Sequence, residues 1–125
     1  MKKKLIITLI CLSLAAEASA KHLRLEKSYQ EQWCKDRGQV EVVLADKTRC
    51  DCLTATNAVE LDFGPKWAEA IGQSLYYALQ TGKKAGVVLI LEKKSDRKFW
   101  LRLNSTIEHF NLPITTWAIG AGASN

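Results

Sequence analysis

The sequence predicts a mixed α/β domain: one central sheet containing both antiparallel and parallel strands, with helices on both faces. Three observations lead there. Three short strand-like segments follow one another between residues 39 and 63, a long amphipathic segment with helix signals occupies 65–82, and "GVVLILE" beyond it is a continuous apolar run. Strands in quick succession form an antiparallel meander, whereas an apolar strand reached through a helix is typical of parallel pairing with both faces covered.

The first twenty residues stand apart from this domain. Lys2, Lys3 and Lys4 precede the short apolar run "LIITLICLSLAA", and "ASA" ends it, so the segment predicts a signal peptide cleaved after Ala20 and a periplasmic or secreted protein. The run is shorter than the roughly 20 apolar residues a membrane span needs. Removing 20 of 125 residues leaves 105, enough for a single domain with one modest core. Of 18 basic and 13 acidic residues the leader takes three lysines and Glu17, leaving 15 against 12, a net charge of +3. That mild bias permits phosphate contact without requiring it.

Along residues 21–125 each element has its own signal. "LEKSYQEQWCKDRG" spaces Leu25, Tyr29 and Trp33 as a helix does, with Gly38 as its stop. "QVEVVLAD", "TRCDCL" and "NAVELDF" are strands, the last two joined by the polar turn "TATN". "PKWAEAIGQSLYYALQTG" opens with Pro65, closes with Gly82 and carries Trp67, Ile71, Leu75 and Ala78 as an apolar stripe. "KFWLRL" alternates and reads as a strand, and Ser105 with Glu108 in capping-box spacing predicts a short helix over "STIEHFN". "ITTWAI" is the last strand, and the tail from about residue 120 is expected to be loose.

Three cysteines follow the leader. Cys50 and Cys52 are expected on one face of one strand, a poor geometry for bridging each other, so Cys34 pairs with Cys50 or with Cys52. Three thiols with no nearby histidine are a poor zinc set, since structural zinc takes four ligands.

The chemistry is concentrated in the carboxylates. In "NAVELDF" the apolar Val59, Leu61 and Phe63 claim one face, which puts Glu60 and Asp62 together on the other. A two-residue turn at Ala55 and Thr56 sets Asp51 across from Glu60 and Arg49 across from Asp62. Facing carboxylates repel, so a proton, a cation or a metal must offset them. Oxygen ligands at such spacing suit Mg²⁺, and an exposed hairpin with its acids paired to Arg49 is the simpler alternative. On the following helix Lys66, Gln73 and Tyr77 form one polar stripe, roughly opposite Ile71 and Leu75.

Taken together, Asp51, Glu60 and Asp62 on a hairpin and Gln73-Ser-Leu-Tyr-Tyr77 on the next helix resemble the PD-(D/E)XK nuclease superfamily, the restriction-endonuclease-like fold with an αβββαβ core. The Gln-x-x-x-Tyr pattern is similar to that of its exonuclease branch, and the resemblance spans residues 25–117. It implies Mg²⁺- or Mn²⁺-dependent phosphodiester hydrolysis of nucleic acid, DNA ahead of RNA, with Asp51 and Glu60 as metal ligands. It further implies that Gln73 and Tyr77 position substrate or water, that Glu31 or Asp62 adds an acidic ligand, and that chains can pair as homodimers. One departure stands out: Asp62 occupies the place of the family's lysine, and Lys66 is the candidate replacement. If Lys66 does not reach the site, the same fold serves as a catalytically impaired domain that binds nucleic acid or protein.

The remaining signals are weaker. Lys83, Lys84, Arg97 and Lys98 are candidate contacts to a nucleic-acid backbone, although lysines at strand ends also guard sheet edges. Trp33, Trp67, Trp100 and Trp117 fall at core-type positions, His22 and His109 stand alone, and no glycine-rich phosphate loop is present.

Overall fold

The computed structural model describes residues 21–124, so the predicted leader and its cleavage point lie outside the described residues. Helix α1 (Glu26–Cys34) is followed by strands β1 (Gly38–Val43), β2 (Arg49–Thr54) and β3 (Asn57–Phe63). Then come helix α2 (Trp67–Thr81), strand β4 (Lys84–Ile90), helix α3 (Arg97–His109) and strand β5 (Ile114–Ile119). The five strands form one sheet in sequence order: β1, β2 and β3 are antiparallel, and β4 and β5 add in parallel. This is the mixed α/β architecture expected, with helices on both faces.

Packing follows the alternation of side chains along β3 and β4. Trp33 and Cys34 of α1 pack with Cys52, Val59, Leu61 and Val88 on one face. On the other, Ala70 of α2 and Leu103 of α3 close over Val87, Leu89 and Leu91. Helices α2 and α3 therefore share a face, as successive right-handed crossovers that advance in one direction across a sheet require. Gly82 ends α2 in the left-handed region at φ 67°, its N–H donating to the Ala78 carbonyl at 2.9 Å. A residue without a Cβ takes that backbone at no steric cost.

Gly38 opens β1 rather than stopping α1, which ends four residues earlier at Cys34, and four further sequence expectations change. "KFWLRL" is not a fifth strand, and "STIEHFN" is not a separate helix: both belong to α3. Phe99, Leu103 and Ile107 pack on the core at helical spacing while Leu101 is exposed, so the alternation over six residues was the shadow of a helical stripe. The tail is docked rather than loose. The Gly122 N–H donates to Leu91 O at 2.8 Å, Arg97 Nε donates to Gly122 O at 3.0 Å, and Arg97 Nη2 also reaches the Ser124 carbonyl.

The third change concerns α2, whose most buried residues are Ala70, Ser74 and Tyr77 rather than the predicted stripe. The helix is rotated by roughly a quarter turn from that expectation, at about 100° per residue. Tyr77 therefore belongs to the buried face, not to a solvated stripe opposite it. The fourth change is on β2. Cys52 packs on the α1 side, but Cys50 packs on the α2 side with Ala58 and Tyr77, so the two thiols do not share a face. The disulfide is Cys34–Cys52, and Cys50 is a buried free thiol.

Candidate active site

The broken alternation on β2 marks where the sheet opens. The β2–β3 ladder is regular at Leu53↔Ala58 and Cys52↔Val59, the register predicted from the two-residue turn. Thr54 holds that turn, its hydroxyl oxygen accepting from the Asn57 N–H at 2.9 Å. One step on, the pattern changes: an Asp51 carboxylate oxygen, Oδ2, accepts the Leu61 backbone N–H at 2.8 Å. The Asp51 carbonyl accepts from Gln30 Nε2 of α1, also at 2.8 Å. On β1, Glu41, which the register sets opposite Asp51, adopts a positive φ of 49°. A non-glycine residue in that region is strained, and such strain is concentrated at functional sites.

Into this opening project Glu60 and Asp62. Strand β3 is buried along its whole length, with Glu60 only 5% and Asp62 4% exposed, which rules out an exposed hairpin of surface ion pairs. Arg49 faces outward and lies 3.7 Å from Glu41, not against Asp62. Glu60 Oε2 and Asp62 Oδ2 are buried without a hydrogen-bond partner. Burial pushes the Glu60 carboxyl far above its ordinary range, and the charges of Asp51 and Asp62 push it further. Burial likewise raises Asp51 and Asp62, against the Leu61 N–H for the former and Lys66 for the latter. Glu60 lies between Asp51 and Asp62 in the electrostatics of the site, and each neighbouring carboxylate disfavours its ionisation.

The other predicted residues divide into those near the acids and those elsewhere. Lys66, in the Gly64–Lys66 turn ahead of α2, is exposed and lowers the carboxyls of Asp62 and Glu26 through its charge. Tyr77 is buried beside Cys50, and burial together with the charges of Glu60 and Asp51 pushes its phenol upward. Gln73 is on the exposed side of α2. Glu31 does not join the cluster: it is exposed and 3.9 Å from Lys27. The acid that α1 does bring is Glu26, raised by burial and by Asp51. With Gln30, four residues on, it forms the edge of α1 turned to the site, an i,i+4 pair the sequence displays but that the spacing of Tyr29 and Trp33 overshadows.

Two of the four residues expected to contact nucleic acid are engaged within the fold. Lys83 Nζ donates to the carbonyls of Thr54 at 2.7 Å and Ala55 at 2.9 Å, pinning the β2–β3 turn, and Arg97 holds the tail. Lys84 and Lys98 remain exposed.

Among the described residues no group of three or more His, Cys, Asp or Glu side chains is arranged to hold a metal ion. Asp51 and Glu60 are a pair of oxygen donors, the number and type with which Mg²⁺ is content when it keeps several waters. The two unpartnered buried oxygens fit the same requirement. No helix of the described residues is long and apolar enough to cross a membrane. No protein-family model matches the chain, and neither does any curated protein or solved structure.

Proposed function

We infer that this protein is a metal-dependent phosphodiesterase of the PD-(D/E)XK nuclease type, with Asp51 and Glu60 as its metal ligands and nucleic acid as its substrate. One observation carries the inference: the buried carboxylates Glu60 and Asp62, each with an unpartnered oxygen, sit beside half-buried Asp51 where β2 leaves the β3 ladder. Burying carboxyl groups without hydrogen-bond partners is costly in either protonation state, and a site made only to stabilise the fold gains nothing from it. The order of elements, the Asp51 carboxylate against the Leu61 N–H next to Glu60 and the placement of Tyr77 beside the acids support the same family reading.

Asp51 and Glu60 would hold Mg²⁺ or Mn²⁺, which supplies the charge that polarises a phosphodiester and acidifies attacking water. The chain's own contributions are positional. Leu61 N–H and Gln30 fix Asp51, and Lys66, exposed beside Asp62, offers a cation to a phosphate approaching the acids. Asp62 takes up a proton or is offset by Lys66, which removes part of the repulsion an incoming phosphate meets. The disulfide supports the exported, oxidising setting that the leader predicts.

A second reading has one observation in its favour. Asp62 adds a carboxylate where the family has a lysine, which suits a domain that retains the fold and binds without cutting. Incubation with single- and double-stranded DNA and with RNA, in Mg²⁺ or in chelator, separates the two. Cleavage abolished by chelator and by Glu60→Gln supports the enzyme, and no cleavage by the parent on any of these substrates rejects it.

A further inference from the structure

Along the flank of α1 that carries Tyr29, Gln32 and Trp33 lies a second constellation. Two cavities of about 350 and 270 Å³ meet at Trp33 and Arg37, the first between α1 and the end of β5 at Ile119 and Gly120, the second between Trp33, Trp117 and the β2–β3 turn at Thr54–Asn57. The lining of this groove is aromatic and cationic. Trp33 and Trp117 lie 5.1 Å apart between ring centroids, Arg24 covers the Tyr29 ring at 4.5 Å and Arg37 covers Trp33 at 4.9 Å.

Among the described residues Arg24 and Arg37 are the only charged side chains lining the two cavities, although the chain carries 13 acidic residues beside its 18 basic ones. Both are fixed in advance: Arg24 donates to Ser28 Oγ at 2.7 Å and Gln32 Oε1 at 2.9 Å, and Arg37 Nη1 donates to the Trp33 carbonyl at 2.6 Å. Among the described residues no hydrogen bond engages Arg24 Nη1 or Arg37 Nη2, so each planar fork keeps donors for an anion.

We propose that this groove holds a single strand of nucleic acid, with phosphates on Arg24 and Arg37 and bases against Trp117 and the arginine planes. Tyr29 and Trp33 are buried beneath the two arginines, so the outward guanidinium faces and the half-buried Trp117 ring supply the flat surfaces, and together they match a polymer that alternates anionic and flat aromatic groups. A duplex keeps its bases stacked inside and leaves the aromatic lining unused. The proposal rests on the nuclease reading for its choice of a nucleic acid over an acidic peptide, and it gives that activity a strand-holding surface separate from the acids.

The test is fluorescence anisotropy of the purified protein with a labelled thymidine oligonucleotide in chelator, where no metal-dependent cutting occurs. Arg24→Gln and Arg37→Gln are each expected to weaken binding about tenfold, and to flatten the dependence of log affinity on log salt by about 0.7 for each phosphate no longer held. Arg37→Lys keeps the charge but not the planar stack and should fall between parent and Arg37→Gln. Trp117→Ala should weaken binding by a similar factor, and Trp117→Phe by less. Unchanged affinity in both arginine variants overturns the proposal, as does displacement of the oligonucleotide by polyglutamate as readily as by unlabelled strand. A parent that binds through these arginines but cleaves nothing retires only the nuclease reading. A parent that cleaves while its arginine variants bind normally retires only the groove.

Discussion

The carboxylate of Asp51 accepts the Leu61 backbone N–H at 2.8 Å, standing in for a β2 carbonyl at the point where the two strands separate. Asp51 thus has a structural duty beside its proposed role as a ligand, and substitutions divide the two. In Asp51→Ala the Leu61 N–H is left without its acceptor inside the sheet, which costs about 1–3 kcal/mol. Asp51→Asn keeps an acceptor and removes a charge from the cluster. Urea unfolding should rank Asn above Ala by about that amount, while both variants lose metal-dependent cleavage.

The carboxyls of Asp51, Glu60 and Asp62 are all raised by burial, so the folded protein retains protons that the unfolded chain has released. Their contribution to stability is complete below the ordinary carboxylate range and declines as pH rises through the raised values. Thermal melts in chelator should therefore fall from mildly acidic to alkaline pH. Glu60→Gln, which mimics the protonated carboxyl, should flatten that slope, and a variant as steep as the parent would show that Glu60 does not titrate in the cluster.

The disulfide Cys34–Cys52 joins α1 to the residue next to Asp51 across 18 positions of chain. Closing a loop of that length is worth about 3 kcal/mol on chain entropy alone. Reduction should lower the urea midpoint accordingly and loosen Gln30 from the Asp51 carbonyl. Cys50 is fully buried, and burial pushes its thiol up to about 11. Thiol titration of the oxidised protein should find one reactive group in residues 21–124, slow in the native state and immediate in denaturant.

Gly122 tests the docked tail. A Cβ there would overlap the Lys93 carbonyl, a backbone atom with no rotamer to yield. Gly122→Ala should lower the melting temperature and expose Arg97, whereas a tail without fixed contacts would tolerate alanine unchanged.

Most of the sheet could be read from the chain because β3 and β4 carry strong apolar runs and "TATN" fixes a two-residue turn, so the register of Leu53 with Ala58 and Cys52 with Val59 followed from counting, although the ladder stops short of the expected Asp51–Glu60 pair. The region of α3 could not, because Phe99, Leu101 and Leu103 satisfy a period of two and hide the spacing to Ile107. The burial of Tyr77 was equally hidden. Ala70 and Ser74, small residues that let α2 approach the sheet, carry no hydrophobic signal, so larger Trp67, Ile71 and Leu75 set the predicted face. Nor can alternation anticipate the break between Cys50 and Cys52, which arises from Glu41 and Asp51 on neighbouring strands and exists only in three dimensions. Glu26 entered the site for the same reason: its partner Asp51 is remote in sequence.

Calorimetric titration of the protein with Mn²⁺ in two buffers of different ionisation enthalpy is the decisive experiment for the carboxylate site. Burial and the neighbouring carboxylates hold Glu60 toward its protonated form, so a cation entering there competes with a proton. Saturable binding is therefore expected, with proton release, with affinity that strengthens as pH rises, and with its disappearance in Glu60→Gln. Binding unaffected by Glu60→Gln, binding with no proton release, or no binding at all would contradict a metal site at these acids.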